Sequence, residues 1–265
     1  MKQPLAYIHP EAKIAPNVVI EPFVTIDKNV VIEEGSRIGS NATILEGTRI
    51  GKNCTIFPGA VIGAVPQDLK FAGEDSTVEI GDNTTIREFV TINRGTKAKG
   101  KTVVGSNSLL MAYVHVAHDS IIGNNVILVN SVQVAGEVVV DDWAIVGGLS
   151  AIHQFVHIGA HTMIAGGSLV GKDVPPFVKA GRNPLSYAGV NSIGLRRRNF
   201  TNDQIRDIQN CYRVLFQSSM HYSKAIEHIE AELPASKERD EIILFVKNSQ
   251  RGIIKGYQTD NKEEE

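Results

Sequence analysis

The sequence predicts a mainly β protein: a parallel β-helix of six-residue repeats, followed by a small α-helical region. Three observations predict it. Ile occupies positions 8, 14, 20, 26, 32, 38, 44, 50, 56 and 62, and the register returns at Ile80, Ile86 and Ile92. It then runs every sixth residue from Val104 through Leu110, Val116 and Ile122 to Val170. Four places after each of these sits mostly a small or β-branched residue, such as Ala12, Val18, Val24, Ser36, Ala42, Thr48, Cys54 and Ala60. Beyond residue 200 the apolar spacing becomes helical.

Six is not a helical period, because 3.6 residues per turn would scatter these side chains around the axis. It does suit a short strand plus a corner, where an even offset of four keeps both apolar residues on the inner face. Segments such as Gly51-Lys52-Asn53, Gly81-Asp82-Asn83 and Gly123-Asn124-Asn125 supply the turn conformations at the corners. Three hexads make one triangular coil. Eight or nine coils stacked at the ~4.8 Å spacing of paired strands give a prism of roughly 40 Å.

In chain order, the prism is expected over 1–176, with extruded loops at 63–79 and 97–103 where the register breaks. Loops leaving a rigid solenoid commonly carry binding groups, although each also reads as a tolerated surface insertion. Pro175 and Pro176 are expected to stop regular pairing. Residues 177–265 then form a connector and a helical C-terminal domain. Thr201 with Gln204 reads as a capping box opening a helix to about Met220. Further helices are expected over 223–233 and 236–251, and the tail 261–265 reads as disordered.

The 265 residues carry 27 Lys and Arg against 29 Asp and Glu, a net charge of −2, which argues against a generic nucleic-acid binder. Cys54 and Cys211 lie too far apart in sequence for a disulfide framework or paired metal site, and each reads as a buried hydrophobe. No apolar run approaches the ~20 residues that span a bilayer, and the start lacks the apolar stretch of a secretory signal. The expectation is a soluble cytoplasmic protein.

Residues 18 apart share a vertical column, so His118 stacks with Gly136, then Gln154, then Lys172. A histidine is thereby placed about one strand spacing, ~4.8 Å, from a glycine whose backbone can be approached closely. That pairing suits acyl transfer: a base removes a hydroxyl proton while a backbone N–H stabilises the oxyanion. Asp119 would orient or stabilise the imidazolium, provided that a corner turns both side chains the same way. A lone solenoid histidine is ordinarily a packing residue. Here His115, His118, His153, His157 and His161 are five of the chain's eight histidines.

The run Ile62 to Glu74 containing Pro66-Gln67-Asp68-Leu69-Lys70, Ile92-Asn93-Arg94-Gly95-Thr96, His115-Val116-Ala117-His118-Asp119 and Ala151-Ile152-His153-Gln154-Phe155 resemble the UDP-N-acetylglucosamine O-acyltransferases. So do Gly189-Val190-Asn191 and Gly194-Leu195-Arg196-Arg197-Arg198. The resemblance implies a left-handed parallel β-helix, against the usual right-handed crossover. It implies transfer of a (3R)-hydroxyacyl chain from acyl carrier protein to the 3-hydroxyl of UDP-N-acetylglucosamine, the first step of lipid A synthesis, with no cofactor or metal. Carried over, His118 is the general base, Asp119 its support and Gly136 the oxyanion N–H. Asp68, Lys70, His115, His153 and Gln154 bind the sugar nucleotide, Asn191 and Arg198 its uridine-phosphate end, and Gly166 sets acyl-chain length. Glu137 and Ile193 depart from the family pattern.

Acyl carrier proteins are acidic, so Arg196 and Arg197, with Lys97, Lys99 and Lys101, read as a docking patch; a solvated face is the plainer alternative. The resemblance implies a homotrimer with sites between subunits, and Leu128, Val138 and Trp143 are read as outer apolar positions for it. Rival readings are an N-acyltransferase of the same pathway, a zinc hydratase using His115, His118 and Glu137, and a non-catalytic prism.

Overall fold

A computed structural model describes residues 5–218 and 220–256. The predicted tail at 261–265 lies outside the described residues. Among the described residues, parallel two- to four-residue strands stack into three sheets. The first face carries the strands ending at Ile8, Ile26 and Ile44, and continues through Ile62, Ile92, Val116, Val134 and Ile152 to Val170. The second runs from Ile14 to Ile158 and the third from Ile20 to Ile164. Pairing is in register, as His115 with Gln133 and Val116 with Val134 illustrate.

The in-phase aliphatics fill the prism: Ile26, Ile62, Ile92, Val116 and Ile122 are fully buried. Each such side chain contributes about 1.5–3 kcal/mol through burial. Ile8 and Ile14 are only half-buried because they occupy the first coil. Where the second inward position is a hydroxyl, it donates to a corner carbonyl: Ser36 Oγ to Gly51 O at 2.8 Å, Thr84 Oγ1 to Gly105 O at 2.7 Å, Ser120 Oγ to Ala135 O at 2.9 Å. Buried polarity is thus satisfied within the stack. The corners use the left-handed backbone region, with Asn29 at φ 51°, Asn53 at 54° and Asn125 at 57°. Asn tolerates that region better than most side chains.

Leu128 and Val138 were expected on the outside; both are completely buried. The same phase that identifies the repeat puts Leu128 in the core, and Val138 occupies the second inward position of its hexad. Trp143 is 38% exposed at a corner.

Pairing on the third face runs on past Pro175-Pro176. Val174 bridges Ile158 on the second face just before the prolines, and beyond them Val178–Gly181 pairs in parallel with the strand Met163–Ile164 of the third. The connector is not featureless, since Val178–Gly181 forms an antiparallel hairpin with Ser186–Val190, which in turn pairs with Lys255–Gly256. Among the described residues four helices follow: α1 (Ser192–Arg197), α2 (Asn202–Gln217), α3 (Tyr222–Glu232) and α4 (Lys237–Asn248). The predicted capping box is present at Thr201 and Gln204. Helix α2 stops before Met220 because Ser218 turns to extended backbone. Helix α4 ends before Ser249, whose hydroxyl donates to Asp173 at 2.6 Å and ties the helices to the prism. Among the described residues, no helix is long and apolar enough to cross a membrane.

Candidate active site

The chain leaves the first face between Ala64 and Thr77, and again between Asn93 and Lys101. Both detours leave the edge between the first and second faces, in consecutive coils, and His118-Asp119 turns that same edge in the next coil. Asp119 adopts φ 58°, so the two adjacent side chains emerge on the same side, which a strand would forbid. His118 Nδ1 lies 2.8 Å from Asp119 Oδ2.

Asp119 is wholly buried. Burial alone pushes its carboxyl up, but His118, the Thr96 hydroxyl and the Thr96 and Lys99 N–H groups together hold it below the usual carboxylate range. An ionised carboxylate only accepts, so Nδ1 of His118 is the donor, and in the neutral ring Nε2 carries the lone pair. That nitrogen faces the backbone of Gly136: a Cβ built there would stand 2.6 Å from Nε2. Only glycine permits this approach. The flanking Ala135 and Glu137 N–H groups bond to Ile152 O and His118 O, leaving the Gly136 N–H outside the inter-coil ladder.

Asp68, on the first detour, brings Oδ2 to 4.0 Å from His118 Nε2. Its other oxygen accepts the Lys70 N–H at 2.9 Å. His115 is half-buried and pairs with Thr91 Oγ1 at 2.7 Å, and burial lowers its basicity. His153 and Gln154 turn the same edge two coils beyond His118, with His153 Nδ1 3.0 Å from Gln154 O. Seven predicted residues therefore share one edge with Gly136.

The others do not. Asn191 caps α1, accepting from Gly194 N and donating to His161 O at 2.9 Å. Arg198 stacks on Trp143, 5.1 Å from its ring centre, and donates to Trp143 O at 3.1 Å. Burial lowers the Arg198 pKa. These residues mark the edge between the second and third faces. Gly166 lies exposed on the remaining edge, where a Cβ would approach Gly148 O at 3.1 Å. Arg196 and Arg197 are exposed in the last turn of α1.

The second detour does not read as a free basic patch. Lys99 Nζ bonds Asp119 O at 3.1 Å and Lys101 pairs with Glu79 at 3.1 Å. What sequence reasoning missed is that Thr96, Lys99 and Thr102 surround Asp119. The available signal was that this detour sits at His118's own corner, one coil earlier. Among the described residues, no three His, Cys, Asp or Glu side chains are grouped to hold a metal ion.

Residues 173–254 match the family described as UDP-N-acetylglucosamine O-acyltransferase, domain 2. Residues 101–136 match the bacterial transferase hexapeptide (six repeats), and 2–96 the GMPPB C-terminal domain. The acyl-[acyl-carrier-protein]–UDP-N-acetylglucosamine O-acyltransferase of Myxococcus xanthus is 46% identical over 195 residues, 73% of this chain and 76% of its own. That of Burkholderia mallei is 41% identical over 199 residues, with the same coverage. The UDP-N-acetylglucosamine acyltransferase structure from Bacteroides fragilis superposes with a TM-score of 0.95 at 58% identity, covering 96% of this chain and all of that one. The Francisella novicida structure gives 0.94 at 40%, covering 96% and 94%. The fold is a left-handed parallel β-helix with a small helical C-terminal part, and the chain is an acyltransferase that belongs to the UDP-N-acetylglucosamine O-acyltransferase family.

Proposed function

We propose that the protein transfers a (3R)-hydroxyacyl chain from acyl carrier protein to the 3-hydroxyl of UDP-N-acetylglucosamine, the first step of lipid A synthesis, in the cytoplasm. One observation carries the reading: the Asp119-oriented imidazole of His118 packed against the Gly136 backbone. His118 Nε2 takes the proton of the sugar hydroxyl as that oxygen attacks the thioester carbonyl. Asp119 stabilises the imidazolium that forms, and the Gly136 N–H receives the developing oxyanion. Collapse expels the carrier's thiolate, which the imidazolium protonates.

Asp68, Lys70, His115, His153 and Gln154 hold the sugar nucleotide against this edge. Asn191 and Arg198 hold its uridine-phosphate end, Arg as the phosphate partner. Because they stand on a different edge, a neighbouring subunit supplies them, which supports a homotrimer with sites between chains. Gly166 on the third edge leaves room for a long acyl chain, and Arg196 and Arg197 dock the acidic carrier. The division at residue 176, across which the third face continues to Gly181, then separates the catalytic pair from a C-terminal region that carries Asn191, Arg198 and the carrier-facing arginines.

Purified protein incubated with UDP-N-acetylglucosamine and hydroxyacyl carrier protein should give the acylated sugar nucleotide, and His118→Ala should lose about 10²-fold or more. Undiminished product from the variant would remove His118 from its role. No product with any hydroxyacyl length would overturn the reaction. Carriers bearing ~10- and ~14-carbon chains test Gly166, a preference for the shorter excluding the assignment. A monomer mass by light scattering would exclude the shared site.

A further inference from the structure

Asp119 Oδ2 is shared. It lies 2.8 Å from His118 Nδ1 and accepts from Thr96 Oγ1 at 2.7 Å. Its Oδ1 accepts the Thr96 N–H at 3.0 Å and the Lys99 N–H at 3.1 Å. The Asp119 N–H in turn donates to Thr102 Oγ1 at 2.8 Å. One buried carboxylate therefore holds both the imidazole and the fold of the second detour. That detour holds the first: the Lys97 N–H donates to Glu74 Oε1 at 3.0 Å, Asn93 Nδ2 to Val65 O at 3.0 Å, and the Arg94 N–H to Ala64 O at 2.9 Å. The first detour returns Asp68 to the exposed side of the same imidazole.

We propose that Thr96 is a positioning residue for the general-base pair, its hydroxyl sharing Asp119 Oδ2 with His118 and so setting how strongly that carboxylate draws on the imidazole. This rests on His118 being the base. A donor on Oδ2 spreads the carboxylate's charge and weakens its hold on an imidazolium. Thr96 thereby favours the unprotonated ring that can accept a proton, while its backbone N–H keeps the detours over the site. The charged and titratable groups around the pair are Asp68 and Lys99 from the two detours, His115 on the strand that leads into the corner, its ring paired with Thr91, and Glu137 on the next coil, whose N–H donates to His118 O at 3.0 Å. None of them supplies a second side-chain donor to Oδ2 among the described contacts.

Thr96→Val keeps the shape and removes the hydroxyl. The acid limb of the kcat/KM profile should move up by about one pH unit, the size of one charge-assisted hydrogen bond. Thr96→Ser should restore it. Independently of turnover, the ¹³C-labelled His118 ring should titrate at higher pH in Thr96→Val than in the parent protein, and again recover in Thr96→Ser. A uniform loss of rate with the limb in place, or an unmoved ring titration, would overturn the proposal. A Thr96→Val that does not fold leaves the Thr96→Ser and parent comparison with Thr96→Ala, where the same upward shift is required. Loss of the role of His118 itself is read separately, from full activity in His118→Ala.

Discussion

Asp68 and His118 come within 4.0 Å across the mouth of one prism edge, although they belong to coils separated by another complete detour of the chain. Asp68 approaches the ring nitrogen opposite the one held by Asp119, the side on which a hydroxyl would lie between them. Asp68→Ala should therefore raise the KM for UDP-N-acetylglucosamine by roughly tenfold or more, the worth of one charged hydrogen bond. Steady-state kinetics at saturating acyl donor measures it. A fall in kcat alone would assign Asp68 to the chemical step instead.

Gly136→Ala introduces a methyl group where the His118 ring now rests, 2.6 Å from Nε2. The ring swings aside more readily than the coil backbone moves, so kcat should fall about 10²-fold while the melting temperature changes little. Parallel melting and turnover measurements separate this from a folding defect.

His161 sits among Trp143, Phe177 and Phe200. Burial, and next the Arg198 guanidinium, push its pKa down to about 4. Once unfolded it titrates near ~6.5, so the unfolded chain binds more protons between those values and stability falls as pH falls through that window. His161→Phe should flatten this part of the melting-temperature profile between about pH 6.5 and pH 4. Phe fits the left-handed corner, as Phe155 and Phe177 do at φ 66°. An unchanged slope would place the acid sensitivity elsewhere.

Ile122→Ala, at a wholly buried rung, should cost about 2–5 kcal/mol of stability through a cavity the stacked coils cannot close. Chemical denaturation reads this directly. A loss below about 1 kcal/mol would mean that neighbouring coils repack.

The prism was legible because one inward residue per hexad repeats along the chain, and a strict period leaves one placement for Ile26, Ile62 or Val116. The His118–Gly136 contact was legible for the same reason, since the coil length fixes which residues stack. What the period cannot encode is where a detour folds back. Thr96, Lys99 and Glu74 lie outside the repeat, and their partners are chosen by loop geometry. The hairpin Val178–Gly181 with Ser186–Val190 escaped for a related reason. It is short, it follows two prolines, and its partners are set by tertiary contacts, Val178–Gly181 on the last coil and Ser186–Val190 against Lys255–Gly256, not by its own pattern. Leu128 and Val138 are the converse case: their places in the period already put both inside the prism, and a surface role for them conflicts with it.

Both detours leave and rejoin the prism at one corner, and the rungs on either side remain paired: Val61 with Thr91, and Val78 with Thr102. Changes of length or sequence in these excursions therefore leave the load-carrying ladder untouched. With the sugar-binding role proposed for Asp68 and Lys70, grafting both excursions together, anchored on Asp119, should transfer selectivity between relatives as a unit while the strands stay as they are.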